Sequence, residues 1–238
     1  MKLPLSVAII ASNEEDNIER CLRSVSDLAS EIILVLNDST DGTCSLAKSF
    51  NAKVYHEPWH GFSEQKNIAA RYSLQEWILS LDADEELDDV LKQSIRKFIL
   101  ANDERYHGAY FSRRTFFMGR WIKHGDWSPD YVTRLFRSER GRWSNEPVHE
   151  RLIVLGDTKK LKGHLLHYSY RSVKEHMYKN LKYAELNVLA RKHNSWSIFF
   201  HSFWKFFRGY FLKLGFLDGF AGFYVASMQG FFTLYKYI

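Results

Sequence analysis

The chain has 238 residues, 45 % of them hydrophobic and 16 % aromatic, with a formal net charge of +5. That length suits one large domain or one domain with an appendage, and that apolar content excludes a globally disordered chain. Its two cysteines, Cys21 and Cys44, have no metal-site spacing, exclude a disulfide framework and fit a reducing cytoplasm.

Leu5–Ile10 reads as a buried parallel strand. The apolar run before Asn13 is too short for a signal peptide with a cleavage site. Asn13 is expected to cap a helix from Glu14 to about Val25. Glu14, Glu15 and Asp16 would fill its first turn, and Ile18, Cys21, Leu22 and Val25 its apolar face. Glu31–Leu36 is a second strand, followed by the polar turn Asn37–Thr43 and a helix to about Phe50. Lys53–His56 is a short third strand. Ser63 is expected to cap the next helix, which carries Glu64, Lys66, Asn67 and Arg71. Trp77–Leu81 is a fourth strand that runs into Asp82 and Asp84, and a helix from about Leu87 to Leu100 follows.

Repeated β-α alternation with short connections predicts a parallel sheet covered by helices on both faces. The polar clusters Ser12–Glu14, Asp38–Thr43 and Asp82–Asp84 then fall on one rim. Open α/β sheets bind ligands there, at the C-terminal ends of their strands. In an extended backbone Asp82 and Asp84 share a face and can converge on one divalent cation, completed by water and phosphate oxygens. The competing reading makes Asp84-Glu85-Glu86 the acidic first turn of the following helix.

After about residue 105 the pattern changes. Ala109–Ser112, Tyr131–Phe136, Val148–Val154 and Leu165–Tyr168 look like strands of a mixed or antiparallel half. An aromatic, basic loop from Arg113 to Pro129 lies between the first two, and this half as a whole would shape a second substrate site. From Ser172 the pattern is helical through about Arg191, and Ser195–Ile238 is dense in Phe, Trp and Tyr with Lys205, Arg208 and Lys213 interleaved. Residues 159–238 hold 13 Lys/Arg against 3 Asp/Glu, whereas residues 1–158 hold 20 against 25. A basic, aromatic last third points to an anionic surface, membrane or nucleic acid. Its final stretch, Phe216–Ile238, contains Asp218, Gln229 and three glycines and is a poor spanning helix; interfacial docking is one expectation and internal or oligomeric packing the other.

Four segments, Val7–Glu15, Asp38–Thr43, Gly61–Asn67 and Leu81–Glu85, occur in an order that resembles the inverting glycosyltransferases of family 2, which have the GT-A fold. The resemblance spans about residues 3–155. Asp126–Arg137, Pro147–Glu150, Gly163–Tyr168 and Leu214–Gly219 are similar to segments of bacterial lipopolysaccharide inner-core glycosyltransferases, including those that add β-linked glucose to a core heptose. It implies an α/β fold of GT-A (Rossmann-like) type, a mixed sheet flanked by helices, with a C-terminal amphipathic helical extension. The catalytic domain would be 1–170, divided into a nucleotide-sugar-binding half, 1–104, and an acceptor half, 105–170. Residues 171–238 would be a helical region for membrane association or oligomerisation.

The resemblance further implies a nucleoside-diphosphate sugar donor, UDP-glucose first, a lipid-linked glycan acceptor, and Mg or Mn as cofactor. Ala11, Asn13, Glu14 and Asp38 would hold the nucleoside. Lys66 and Asn67 would lie near the diphosphate or donor sugar. Asp82 and Asp84 would hold donor sugar and metal, with Asp84 the main ligand; by residue type His149 is a further candidate ligand or else a structural strand histidine. An inverting displacement also needs a base for the acceptor hydroxyl. Asp130 is the first candidate and Glu150 the second, with Asp126 and Glu146 nearby. Arg134 and Arg137 suit diphosphate or an anionic acceptor, or else are surface charge. His164 and His167 read as ordinary strand positions. The competing functions are a nucleotidyltransferase, which the absence of an N-terminal Gly-rich phosphate loop opposes, and a nucleic-acid binder using the basic tail. The location expected is cytoplasmic, on the inner face of the inner membrane.

Overall fold

The computed structural model describes residues 2–144, 150–186 and 195–235, with the side chains of 182–186 and 195–197 left aside. The chain forms two compact units, Met1–Arg113 with Tyr131–His167, and Arg114–Asp130 with Tyr168–Ile238.

The first unit is built on β1 (Leu3–Ala11), β2 (Ala29–Leu36), β3 (Lys53–His56) and β4 (Trp77–Asp82), in the order β3-β2-β1-β4 with every pair parallel. Connecting them are α1 (Glu15–Val25), α2 (Thr43–Ser49) and α3 (Phe62–Arg71), and α4 (Asp89–Ala101) follows β4. Strand residues of opposite parity enter two cores. Val7, Ile9, Leu34, Leu79 and Leu81 pack with Ile18 and Leu22 of α1 and Leu91 and Ile95 of α4. Ala8, Ile10, Ile33, Val35 and Ile78 pack with Ile68 and Ala69 of α3. Strands buried on both faces read as near-continuous apolar runs, which is why their positions were plain in the sequence.

The sheet then turns mixed. β5 (Glu85–Leu87), β6 (Tyr106–Phe117), β7 (Arg120–Trp121), β8 (Asp130–Arg137), β9 (Gly141–Trp143), β10 (Leu152–Val154) and β11 (Asp157–His167) complete the strands. The order continues β4-β8-β6-β11-β5, with β8 antiparallel to β4 and β11 antiparallel to β5. β7 pairs with the end of β6, and β9 with β10.

Three local expectations are corrected. Asn13 does not cap α1: it sits at φ 54° and its Oδ1 accepts from Thr40 N at 2.9 Å, while Glu14 precedes the helix. Ser63 lies inside α3, which opens at Phe62 after Gly61. Glu85 and Glu86 are not a helical turn but part of β5, with Glu85 opposite His167. The helix begins only after Asp88, whose Oδ1 accepts from Leu91 N at 2.7 Å and whose Oδ2 accepts from His164 N at 2.9 Å. One carboxylate thus caps α4 and fastens β11 to it. Gly163, at φ +99°, makes this approach possible, since a Cβ there would meet Leu91 N at 2.2 Å.

The second unit contains α5 (Val173–Leu186), α6 (Ser195–Phe207), a π-helical turn at Arg208–Leu212, a 3₁₀ turn at Gly215–Asp218, and α7 (Gly219–Tyr235). Residues 187–194, within the helix expected to reach Arg191, lie outside the described residues. Phe117, Ile122, Ala221 and Val225 form its core. His176 is buried beside the rings of Phe117, Trp127, Tyr170 and Tyr224, with Nδ1 3.1 Å from Tyr224 Oη. That burial pushes its pKa down to about 4.

Candidate functional site

The C-terminal ends of β1 and β2 lie in register, Ala11 opposite Leu36, so the loops that follow them meet. They are laced together: Asn13 N donates to Ser39 Oγ at 2.7 Å, Glu14 N to Thr43 Oγ1 at 2.8 Å, and Glu15 N to Asp41 Oδ2 at 3.1 Å. In return Gly42 N donates to Glu15 Oε2 at 2.8 Å. Ala11 spends its carbonyl on Asn37 N at 3.1 Å. Asp38 sits exposed in the left-handed region at φ 42°, within 3.2 Å of Asn37 Nδ2.

β4 runs beside β1 with Ile10 opposite Asp82, which brings the aspartate to the same rim. Asp82 is clamped from two sides: Oδ1 lies 3.0 Å from Lys66 Nζ and Oδ2 accepts from Arg134 Nη2 at 2.7 Å. Its backbone N–H donates to Glu85 Oε2 at 3.0 Å. Glu85, fully buried, also receives Arg134 Nη2 at 2.8 Å and has Arg113 Nη1 at 3.6 Å. Burial alone would raise the Asp82 pKa, but the charges of Arg134 and Lys66 outweigh it and hold the carboxyl well below the usual range. Arg134 shows the reciprocal effect: burial works against its charge, and Asp82 and Glu85 more than restore it. The acidic side of the cluster reaches Cys21, whose Sγ is 3.7 Å from the Asp82 carbonyl. Burial first, then the charges of Glu85, Asp84 and Asp82, push its thiol well up.

Trp143 lies against both cations, its ring centroid 4.6 Å from Lys66 Nζ and 5.3 Å from Arg134 Cζ. Asn67 holds it there by both amide atoms, accepting from Trp143 N at 2.9 Å and donating to Trp143 O at 3.2 Å. Lys66 Nζ also reaches Glu150 Oε1 at 3.3 Å, so the base candidate joins the cluster.

Asp84 takes a different partner. β4 ends at Asp82, the chain turns at Ala83-Asp84, and Asp84 Oδ2 comes 3.3 Å from Nε2 of His167, the last residue of β11. Among the described residues no group of three or more His, Cys, Asp or Glu is gathered for a metal. The Asp84 carboxylate is nevertheless a fitting donor for Mg or Mn, which are bound by one or two carboxylates with phosphate oxygens and water completing the shell, and the His167 imidazole beside it is the softer donor of the two.

The structure therefore brings together Lys66, Asn67, Asp82, Arg134 and Glu150, and sets Asp84 with His167. Arg134 is 4 % exposed, which excludes the reading of it as surface charge. Arg137 is elsewhere: it pairs with Trp77 at the start of β4, stacks on that ring and bonds Glu76 and Asn102. Asp130 opens β8, where the chain passes from the second unit back to the first. Asp126 is tied to Arg208 at 2.8 Å and Lys213 at 2.9 Å in the second unit. Glu146 and His149 lie outside the described residues. Sequence reasoning missed Glu85, Trp143 and the pairing of His167. Only the order of Asp82, Asp84 and Glu85 after a strand gave any signal, and it suggested a helix.

The family model for glycosyl transferase family 2 matches residues 6–155. The lipopolysaccharide core biosynthesis glycosyltransferase LpsC of Rhizobium meliloti (strain 1021) is 34 % identical over 199 residues, covering 79 % of this chain and 71 % of that protein. An uncharacterized glycosyltransferase of Rickettsia typhi is 28 % identical over 234 residues, covering 92 % of this chain and 80 % of that protein. Among solved structures, the mannosyltransferase PcManGT of Pyrobaculum calidifontis superposes with a TM-score of 0.53 at 16 % identity, over 78 % of this chain and 62 % of its own. S. aureus TarS 1-349 gives 0.51 at 15 % identity, over 98 % and 81 %. At such identities these two likenesses show a common fold, the GT-A fold of glycosyltransferases. With a family match over residues 6–155 and a relative 34 % identical across most of both chains, this protein belongs to glycosyl transferase family 2.

Proposed function

We propose that the chain is a metal-dependent, inverting hexosyltransferase. It moves a hexose, glucose first, from a nucleoside-diphosphate sugar, UDP-glucose first, to a lipid-linked glycan at the cytoplasmic face of the inner membrane. The inner-core heptose of lipopolysaccharide is the acceptor that fits best, because the relative LpsC is a lipopolysaccharide core enzyme by name. PcManGT, which shares the fold, was solved with GDP-Man and Mn2+. The observation that carries the reading is the cluster at the end of β4, where Asp82 is fixed between Lys66 and Arg134 beside the Asp84–His167 pair.

In such a transfer the acceptor hydroxyl oxygen bonds to the anomeric carbon as the bond to the diphosphate oxygen breaks, and a carboxylate takes the hydroxyl proton. Asp82 stays ionised at any working pH and accepts hydrogen bonds only, which suits it to hold donor-sugar hydroxyls in one orientation. Lys66 supplies positive charge beside it, kept in place by Trp143 and Asn67. Glu150, 3.3 Å from Lys66, is the base this cluster favours, and Asp130 is the competing one. The loops bearing Ala11, Asn13, Glu14 and Asp38 bind the nucleoside. Asp84 and His167 would hold Mg or Mn, and a divalent cation so bound offsets charge on the departing diphosphate.

The test is transfer from UDP-glucose in the presence of Mn2+. Asp84→Asn should lower it at least a hundredfold, roughly the scale of losing one charge-stabilising group, with an unchanged melting temperature. Near wild-type turnover in that variant would sink the metal role. Glu150→Gln and Asp130→Asn decide the base: only one of them should abolish transfer while leaving donor affinity intact.

A further inference from the structure

The second unit carries a concentrated exposed apolar surface. Of the twenty-three exposed large hydrophobic side chains among the described residues, twelve lie between Ser195 and Tyr235. They run across the break between α6 and α7: Phe203 is 54 % exposed, Leu212 57 %, Leu217 52 % and Phe220 69 %. Ile198–Leu212 and Gly215–Tyr235 meet at 72°, so these side chains crown an elbow instead of lining a flat face. A monomer in water seldom shows so concentrated an apolar patch without a partner for it.

The elbow is built firmly. α7 packs so closely on the 3₁₀ turn that a Cβ on Gly222 would meet Gly215 O at 1.8 Å. Asp218, buried, accepts from Lys123 N at 2.9 Å and His124 N at 2.7 Å, and its carbonyl accepts from Arg120 Nη1 at 2.8 Å. Asp126 holds Arg208 and Lys213. The one acid between Ser195 and Tyr235 is thus turned inward, and the other charges there, Lys205, Arg208 and Lys213, are basic, the last two paired with Asp126.

Among the described residues no single helix is long and apolar enough to cross a membrane, and Ile198–Leu212 with Gly215–Tyr235 reach that length and composition only together, across their 72° bend. α7, with 17 residues, is about 25 Å long, short of the roughly 30 Å hydrocarbon core. We propose that the elbow between α6 and α7 is a preformed wedge that inserts its aromatic and leucine side chains into one leaflet of an anionic bilayer, without spanning it. Charge complementarity favours lipid over a second copy of the chain: a headgroup layer is anionic and meets Lys205, Arg208 and Lys213, whereas two copies would oppose like charges. Because Asp126 already neutralises part of that charge, apolar insertion carries most of the binding. The proposal rests on the reading of a membrane-borne acceptor only for the choice of leaflet. Vesicle binding needs no transfer reaction, so the two can fail separately.

The experiment is flotation of the full chain with mixed phosphatidylethanolamine–phosphatidylglycerol vesicles at about 0.15 M salt, followed by size-exclusion chromatography without lipid. The wild type should float with the vesicles. Leu217→Glu combined with Phe220→Glu should weaken binding at least roughly tenfold, since each loses an inserted side chain. Far-UV dichroism should be unchanged, because both side chains point away from the core. Leu74→Glu, at an exposed leucine of the first unit, should bind as the wild type. Raising the salt should weaken binding less than the double substitution does. A wild type that stays unbound as a dimer, and becomes monomeric on the double substitution, overturns the proposal in favour of a second copy. Equal binding by wild type and double variant, with release of both by salt, overturns it in favour of charge alone.

Discussion

The charged cluster of the first unit and the elbow of the second solve opposite problems with the same residue types. At the end of β4 the apolar side chains are inside, and the charges of Asp82, Glu85, Lys66 and Arg134, all buried but the half-buried Asp82, are paired mainly with one another. At the elbow the aspartates are spent internally, on backbone N–H groups and basic side chains, while the aromatic rings face out. In the first region pairing keeps charge where water is scarce, which suits a polar, phosphate-bearing ligand. In the second, pairing removes acidic charge from an exposed apolar surface. Ionic networks here follow what each surface must meet, and a count of salt bridges would not separate the two regions.

The largest effect expected from breaking this contrast is at Arg134. Its guanidinium serves both Asp82 and Glu85 and is itself buried. Arg134→Met leaves two carboxylates without their main counter-charge, and breaking a buried pair costs about 3–5 kcal/mol. Urea unfolding should show that loss, and transfer should fall with it because Asp82 is no longer fixed. A loss below about 1 kcal/mol would mean that water screens the cluster and that the two regions differ less than their geometry indicates.

A smaller effect separates the regions by pH. His176 has its pKa held down to about 4 in the folded second unit, against about 6.5 in an unfolded chain. Between these values the unfolded chain binds the proton and the folded one does not. Stability is therefore fully present above about 6.5 and falls as the pH drops towards 4. Asp82 behaves otherwise: its folded pKa is depressed, so its contribution is present above the unfolded value near 3.9 and is lost only in stronger acid. Hydrogen exchange at pH 7 and at about pH 4.5 should thus show amides of α5 and α7 losing protection before those of β1 and β4. His176→Phe should remove that difference. If β1 and β4 open first, the acid sensitivity belongs to the first unit and this account is wrong.

How legible each region was follows from the range of its interactions. β1, β2, β3 and β4 were placed within a few residues because a strand buried on both faces needs an uninterrupted apolar run, and α1 because Ile18, Cys21, Leu22 and Val25 repeat at helical spacing. The gathering of polar loops at the strand ends followed from parallel topology alone. What stayed hidden depends on pairing between residues far apart in the chain. Glu85 looks like the start of a helix until β11 arrives opposite it, some eighty residues later. Asp82 and Asp84 look like one pair of ligands until the turn at Ala83 sends one to Arg134 and the other to His167. Trp143 gave no local sign of its role, which exists only through Asn67 and the cations above its ring. The elbow's aromatic density was visible, whereas the inward turn of Asp218 was not.

The smallest effect sets the scale for the largest. Glu19 and Arg23, one turn apart on α1, make contact at 2.5 Å, as close as any pair in the cluster, but their side chains are 46 % and 69 % exposed. Water solvates both ions before and after the contact forms, so Arg23→Gln should cost only about 0.3–0.5 kcal/mol, shrinking further as salt is added. Measured beside Arg134→Met in the same unfolding series, it holds the charge types constant and changes the burial. Similar losses for the two would make the contact itself the source of the energy. A loss several-fold larger at Arg134, and insensitive to salt, would place it in the desolvation of Asp82 and Glu85, the property that sets the charged cluster at the end of β4 apart from the rest of the surface.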